Sequence, residues 1–201
     1  MRSLAIEREF GSGGREIGIQ VARMAKIPYY DGELIKKAAE AQGVSTGMLE
    51  EFDEKYSGSF LHDFAAYMNY SQGAVNTVYD LFSVLQRTIL KLAQESPAVF
   101  IGRCSTEILK GSTDTLRVFI YSSDLEKRLE RIMREEGLSQ SEARNLMEKK
   151  DRQRKNYFKY WTKKEWADRK NYDLELNTSA LKTDECAELL WSIVKKDKRG
   201  V

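Results

Sequence analysis

The sequence predicts a doubly wound α/β domain, and three observations carry that expectation: an apolar run leading into a glycine cluster, two uninterrupted apolar runs, and helical periodicity between them. The first is Leu4-Ala-Ile6, followed by Gly11-Ser-Gly-Gly14 and then by Ile17, Val21 and Met24 at helical spacing. The apolar runs are Ala98-Val-Phe-Ile101 and Leu116-Arg-Val-Phe-Ile-Tyr121. Their lack of alternation suits central strands of a parallel sheet, covered on both faces.

Taken in order, Leu4-Ala-Ile6 is a strand, residues 10–18 a loop turning into a helix, and Pro28-Tyr-Tyr-Asp31 a brief second strand. Gly32 then leads into a helix over residues 33–42, which completes a βαβ unit. Over residues 43–95 apolar side chains recur at helical intervals: Met48, Leu49 and Phe52, then Phe60, Phe64 and Met68, then Val78, Leu81, Phe82, Leu85, Ile89 and Leu92. This stretch reads as a helical insertion. Beyond the two apolar strands, Leu125, Leu129, Ile132 and Met133 predict a helix capped by Asp124, and Ser139-Gln-Ser-Glu142 has the form of a capping box. Tyr172-Asp-Leu-Glu-Leu-Asn177 alternates polar and apolar residues, as a strand near a sheet edge does, and residues 183–196 form a closing amphipathic helix. The pattern is five strands alternating with helices.

A chain of 201 residues, 41% hydrophobic, is long enough for one substantial core. A net charge of +2 with 32% charged residues implies a mixed surface, which argues against nucleic-acid binding across a whole face. Cys104 and Cys186 are too few for a disulfide framework and lack metal-ligand spacing, and His62 has no evident catalytic partner. No stretch approaches the ~20 apolar residues of a membrane span. The expectation is a soluble, cytoplasmic protein with no membrane partner.

Gly11-Ser-Gly-Gly14 supplies permissive backbone where a strand must turn into a helix, so that several N–H groups can face an anion at the helix N-terminus. Arg15 would add a planar cation able to hold two phosphate oxygens. The strict Walker order Gly-x-x-x-x-Gly-Lys-Ser/Thr is absent: Arg15 stands where the lysine belongs, and Ile17 offers no hydroxyl for magnesium. The alternative is a structural turn that binds nothing. Gly102-Arg103 and Asp31 each follow a predicted strand, at the edge where open α/β sheets bind ligands, although a cap or a surface salt bridge would also explain them. Between Lys149 and Lys170, ten basic residues meet three acidic ones, with Tyr157, Phe158, Tyr160, Trp161 and Trp166 interleaved. Such a segment suits a solvated helix packing its aromatics on the core, a nucleic-acid surface, or a lid closing cations over phosphates.

In this order the motifs resemble the cytidylate kinase-like group of P-loop nucleoside monophosphate kinases, over nearly the whole chain. The resemblance rests on Arg8-Glu-Phe-Gly-Ser-Gly-Gly-Arg-Glu-Ile-Gly18, Ile27-Pro-Tyr-Tyr-Asp31, Gly102-Arg103, Asp151-Arg-Gln-Arg-Lys-Asn156 and the last strand near Tyr172 to Thr178. It implies a P-loop NTPase-like three-layer sandwich with a five-stranded parallel sheet. One domain would span residues 1–201, with a core of about 1–42, 96–137 and 171–201, a helical acceptor-binding insertion at about 43–95 and a basic lid at about 138–170.

The implied activity is ATP-dependent phosphoryl transfer to a nucleoside monophosphate, with Mg²⁺ and small nucleotides as the partners. Gly11, Ser12, Gly13, Gly14, Arg15, Glu16 and Ile17 would hold ATP, and Arg15, Arg152 and Arg154 would act in catalysis. Asp31, Lys37, Arg103 and Lys150 would meet the acceptor. This chain departs from the group at Arg15, Ile17 and Cys104, the last in place of an aspartate, and at Lys37 in place of an arginine. In the lid order Arg-x-x-x-Asp-x-x-Arg, it has Lys150, Arg154 and Tyr157. A catalytically altered nucleotide-binding or regulatory protein on the same fold is the rival expectation.

Overall fold

The computed structural model describes residues 1–40, 77–111 and 113–196. His62 and the part of the expected helical insertion before residue 77 lie outside the described residues. Five strands, β1 (Ser3–Arg8), β2 (Tyr29–Tyr30), β3 (Val99–Ile101), β4 (Thr115–Tyr121) and β5 (Leu174–Asn177), form one sheet in the order β2-β3-β1-β4-β5. Every neighbouring pair is parallel, with Leu4 opposite both Val99 and Leu116. The two uninterrupted apolar runs flank β1, and the alternating β5 lies at an edge. The strand order reverses around β1, so its carboxyl end opens into the crevice where such sheets bind ligands.

The helices are α1 (Gly14–Ala25), α2 (Gly32–Glu40), α3 (Thr77–Glu95), α4 (Ser105–Ile108), α5 (Leu125–Glu136), α6 (Gln140–Thr162) and α7 (Thr183–Val194). On one face, Leu4 and Ile6 pack with Ile17, Val21, Ala187 and Leu190, so α1 and α7 cover β1 together. On the other, Ala5 and Phe100 pack with Ile35, Leu85 and Ile89 from α2 and α3. The helical period over residues 82–92 therefore marks a helix packed on the sheet. Met24 is the exception on α1, standing 39% exposed.

Both sequence-level caps form. The Asp124 carboxylate accepts from the Lys127 amide at 3.1 Å. Ser139 and Glu142 each accept from the other's amide, at 3.5 Å and 2.9 Å, which satisfies two orphan donors at the start of α6. That helix reaches the end of β1 through Asp151 and Arg154 and the core through Phe158. Phe158, Trp166 and Tyr172 are buried with Phe119 and Cys104, and Trp161 stacks on Phe82 at 3.9 Å. Phe158 and Trp166 of the basic segment are thus core residues, while Tyr157, Tyr160 and Trp161 pack against the core half-buried.

Candidate active site

The loop between β1 and α1 is held open by glycine geometry. Gly11 and Gly13 have φ of 78° and 82°, in the left-handed region that side chains disfavour. Gly13 caps α1 in that conformation, and the first helical bond runs from the Ile17 amide to the Gly13 carbonyl at 3.0 Å. Among the described residues, the amides of Gly13, Gly14, Arg15 and Glu16 donate to no protein acceptor. Four unsatisfied donors at the positive end of a twelve-residue helix make an anion site.

Ser12 is not available there as a ligand, because its hydroxyl donates to the Glu9 carbonyl at 2.9 Å and lies near the Ile120 carbonyl at 3.2 Å. Ile17 corrects the sequence expectation. Its side chain is 0% exposed in the core and its amide is used within α1, so it cannot face a phosphate by either group. The residue directly after Arg15 is Glu16, so in that register Glu16, rather than Ile17, holds the place of the Walker hydroxyl.

A polar lock fixes the loop from the α5 and α6 side. The Arg128 guanidinium donates to the Phe10 carbonyl at 3.0 and 2.8 Å, pairs with Asp151, and reaches Glu9 at 3.1 Å. Asp151 in turn accepts from the Phe10 amide at 2.7 Å. One turn further along α6, Arg154 donates to the Arg8 carbonyl at 2.9 Å and lies over the Phe10 ring at 5.4 Å. Burial and the nearby Arg8 charge push its pKa down to about 9. Beside the loop, Gly11, Ser122, Lys127, Arg131, Arg134 and Thr178 border a cleft of about 200 Å³.

At the carboxyl ends of β1, β2 and β3 the side chains converge. Arg15 turns away from the loop and grips Asp31, with Nε at 3.2 Å and Nη2 at 2.8 Å from the same oxygen. Burial pushes Asp31 up, but the Leu34 amide and the Arg15 guanidinium outweigh it and hold the carboxyl below its ordinary value. Gly102, Arg103 and Cys104 all have positive φ, at 80°, 58° and 57°. This left-handed turn stores strain at a strand end, as ligand sites often do, and lays Arg103 against Gly32 and near the Tyr157 ring. Burial drives the Cys104 thiol well above its ordinary pKa, reinforced by Glu7, which disfavours the thiolate that a nucleophile needs.

Arg8 sits in the middle of this group. Its charge interacts with Glu7, Arg103, Asp31 and Arg15, and burial lowers its pKa. Sequence reasoning quoted Arg8 only as the first residue of the loop motif. It likewise passed over Arg128 and Glu9 and gave Asp151 no role. The signal for Arg8 was its place at the end of the strand that feeds the loop. Lys37, Lys150 and Arg152 are exposed and make no hydrogen bond or ion pair with the loop among the described residues.

A resident magnesium ion does not fit this donor set. Asp31 is held by Arg15, Glu16 by Arg131 at 2.6 Å, and Glu9 and Asp151 by Arg128. Among the described residues no three His, Cys, Asp or Glu side chains form a metal-holding group. No helix among them is long and apolar enough to cross a membrane.

The comparisons with known proteins agree with this architecture. An uncharacterized protein from Eubacterium ventriosum shares 25% identity over 98% of this chain and 100% of its own, with a TM-score of 0.74. A shikimate kinase from Bacteroides thetaiotaomicron, at 12% identity and a TM-score of 0.53 over 97% and 99% of the two chains, shares the P-loop NTPase-like fold. Searching the curated proteins gave no match. The model of the cytidylate kinase-like family matches residues 3–180, through the loop, the left-handed turn and the last strand, and the chain belongs to that family.

Proposed function

We propose that the protein transfers the terminal phosphoryl group of ATP, taken up as its magnesium salt, to a nucleoside monophosphate. The observation that supports this most directly is the set of free amides at residues 13–16 facing the same strand ends as Arg8, Arg15, Arg103 and Arg154. In phosphoryl transfer the bond from the γ-phosphorus to the bridging oxygen breaks as an acceptor oxygen bonds to phosphorus, and charge spreads over the equatorial oxygens. Fixed cations and amides stabilise that charge without reorganising.

In this reading the amides of Gly13, Gly14, Arg15 and Glu16 hold the donor phosphates and the neighbouring cleft receives the rest of the donor. Asp31, positioned by Arg15, and Arg103 meet the acceptor. Lys37, Lys150 and Arg152 approach from the solvent side. The test is ADP formation from ATP and Mg²⁺ on adding CMP, dCMP, UMP and the remaining nucleoside monophosphates. A full panel of monophosphates and nucleosides without turnover would sink the transfer reading.

A second reading, nucleotide binding without transfer, is favoured by one specific observation: among the described residues, Asp31, Glu16, Glu9 and Asp151 are each already engaged by an arginine. Calorimetric ATP binding with no turnover of any acceptor would decide for it.

A further inference from the structure

We propose that Arg8, delivered from strand β1, supplies the cation that a P-loop lysine otherwise supplies from the helix, and that Gly14 is the vacated lysine position. The proposal rests on the phosphate-binding reading of the loop given above. It reassigns the role that Arg15 holds by sequence order.

The Walker spacing fits this chain in two registers. If the second glycine is Gly14, the cation is Arg15 and the first position is Glu9. If the second glycine is Gly13, the lysine position is Gly14 and the first glycine position is Arg8. Side-chain geometry separates the two. Arg15 is 60% exposed and spends its guanidinium on Asp31, across the crevice. A Cβ built on Gly14 would lie 2.6 Å from Arg8 Cβ and 3.0 Å from Arg8 Cγ. Residues 8 and 14 therefore compete for one volume. A side chain can enter it from the strand or from the helix, but not from both.

The remaining surroundings agree. Gly102 leaves room at the other end of the side chain, since a Cβ there would stand 2.2 Å from Arg8 Nη1 and displace the guanidinium. Two glycines thus clear a channel for one guanidinium. Among the described residues, that guanidinium makes no hydrogen bond and has no carboxylate within 4.0 Å, although Glu7 and Asp31 act on it at longer range. Its neighbours of like charge, Arg103 and Arg15, make the spot more positive still. A partly buried cation with no hydrogen bond or ion pair among the described residues, beside four amides without a protein acceptor, offers the donors that a phosphate takes. Arg154, holding the Arg8 carbonyl, is a positioning residue for it.

The experiment is isothermal calorimetry on the full chain with ATP and with inorganic tripolyphosphate, for wild type, Arg8→Met, Arg8→Gly, the exchange variant Arg8→Gly/Gly14→Lys, and Arg15→Ala. Circular dichroism and thermal unfolding accompany each variant as controls for folding. The expected result is a loss of about 10- to 100-fold in affinity for both ligands in the two single Arg8 variants, the worth of one charge-assisted contact. Recovery of most of that loss is expected in the exchange variant, and a smaller tripolyphosphate loss than in Arg8→Met is expected in Arg15→Ala, whose guanidinium is engaged by Asp31.

Wild-type affinity in folded Arg8→Met, or loss confined to Arg15→Ala, overturns the assignment, as does a folded exchange variant that recovers nothing. A wild type that binds neither ligand overturns both this inference and the kinase reading. Binding that follows this pattern without turnover on any acceptor upholds the inference while the transfer reading falls.

Discussion

Two arginines, Arg128 buried and Arg8 half-buried, flank the same loop, and they are treated in opposite ways. Arg128, with a side chain 9% exposed, has every direction filled: the Phe10 carbonyl, Asp151 and Glu9. Arg8, on the other side, has its carbonyl held by Arg154 and its guanidinium left without a protein partner among the described residues. A cation with its hydrogen bonds satisfied stabilises the conformation of the loop. A cation denied them keeps that capacity for a ligand. The comparison separates scaffold from site within a few residues of chain.

The largest effect that would break the comparison comes from the scaffold side. Arg128→Met leaves Glu9 and Asp151 without their cation in a poorly solvated spot, so a loss of about 3 kcal/mol is expected, or roughly 6–12 °C in melting temperature for a chain of this size. Thermal unfolding followed by circular dichroism measures it. Arg8→Met removes a cation that has no hydrogen bond or ion pair among the described residues and only the longer-range attraction of Glu7 and Asp31, so it should lower the melting temperature clearly less than Arg128→Met does. Equal losses in the two variants would erase the distinction.

A smaller effect sharpens it. Gly102→Ala forces a side chain into a left-handed position and against the Arg8 guanidinium, which predicts a destabilisation of about 1–3 kcal/mol by chemical denaturation. Displacing Arg8 should also weaken tripolyphosphate binding, and a variant that binds normally would show that Arg8 need not lie on Gly102.

The smallest effect concerns Asp31, whose folded pKa lies below its ordinary 3.8. Near that pH the unfolded chain binds more protons than the folded one, so stability from the Arg15 contact is full above about pH 4 and is lost as the pH falls through the lowered value. Melting temperatures from pH 6 to pH 2.5 should therefore fall less steeply in Asp31→Asn than in wild type. Parallel curves would show that the contact adds nothing in solution.

Much of the fold was legible because it depends on local and periodic signals. The runs at residues 98–101 and 116–121 could hardly be other than buried strands, and Asp124 and Ser139 announce helix starts through side chains that satisfy their own neighbours' amides. The position of the loop between β1 and α1 was equally plain from Gly11-Ser-Gly-Gly14. The site was less legible. Asp31 and Arg103 were placed at strand ends by a topological rule, and the structure brings both to the crevice. Arg154 was expected as a lid cation over transferred phosphate, and it instead donates to the loop backbone at the Arg8 carbonyl. Its role depends on which face of α6 meets the loop, and the sequence period of a mostly polar helix gives little indication of that.

The sequence by itself therefore determined where a strand hands over to a helix through glycines, and that cations gather nearby. Backbone conformational freedom and apolar periodicity are properties of neighbouring residues, and they can be read along the chain. Only the tertiary structure decided which cation serves which partner. Residues 8 and 14 share one volume, Arg15 reaches across to Asp31, and Arg128 is neutralised by residues from two other elements. Steric exclusion and charge pairing act between segments that meet only when the sheet closes, so the crowding of residue 14 by Arg8 leaves no trace in the spacing along the chain.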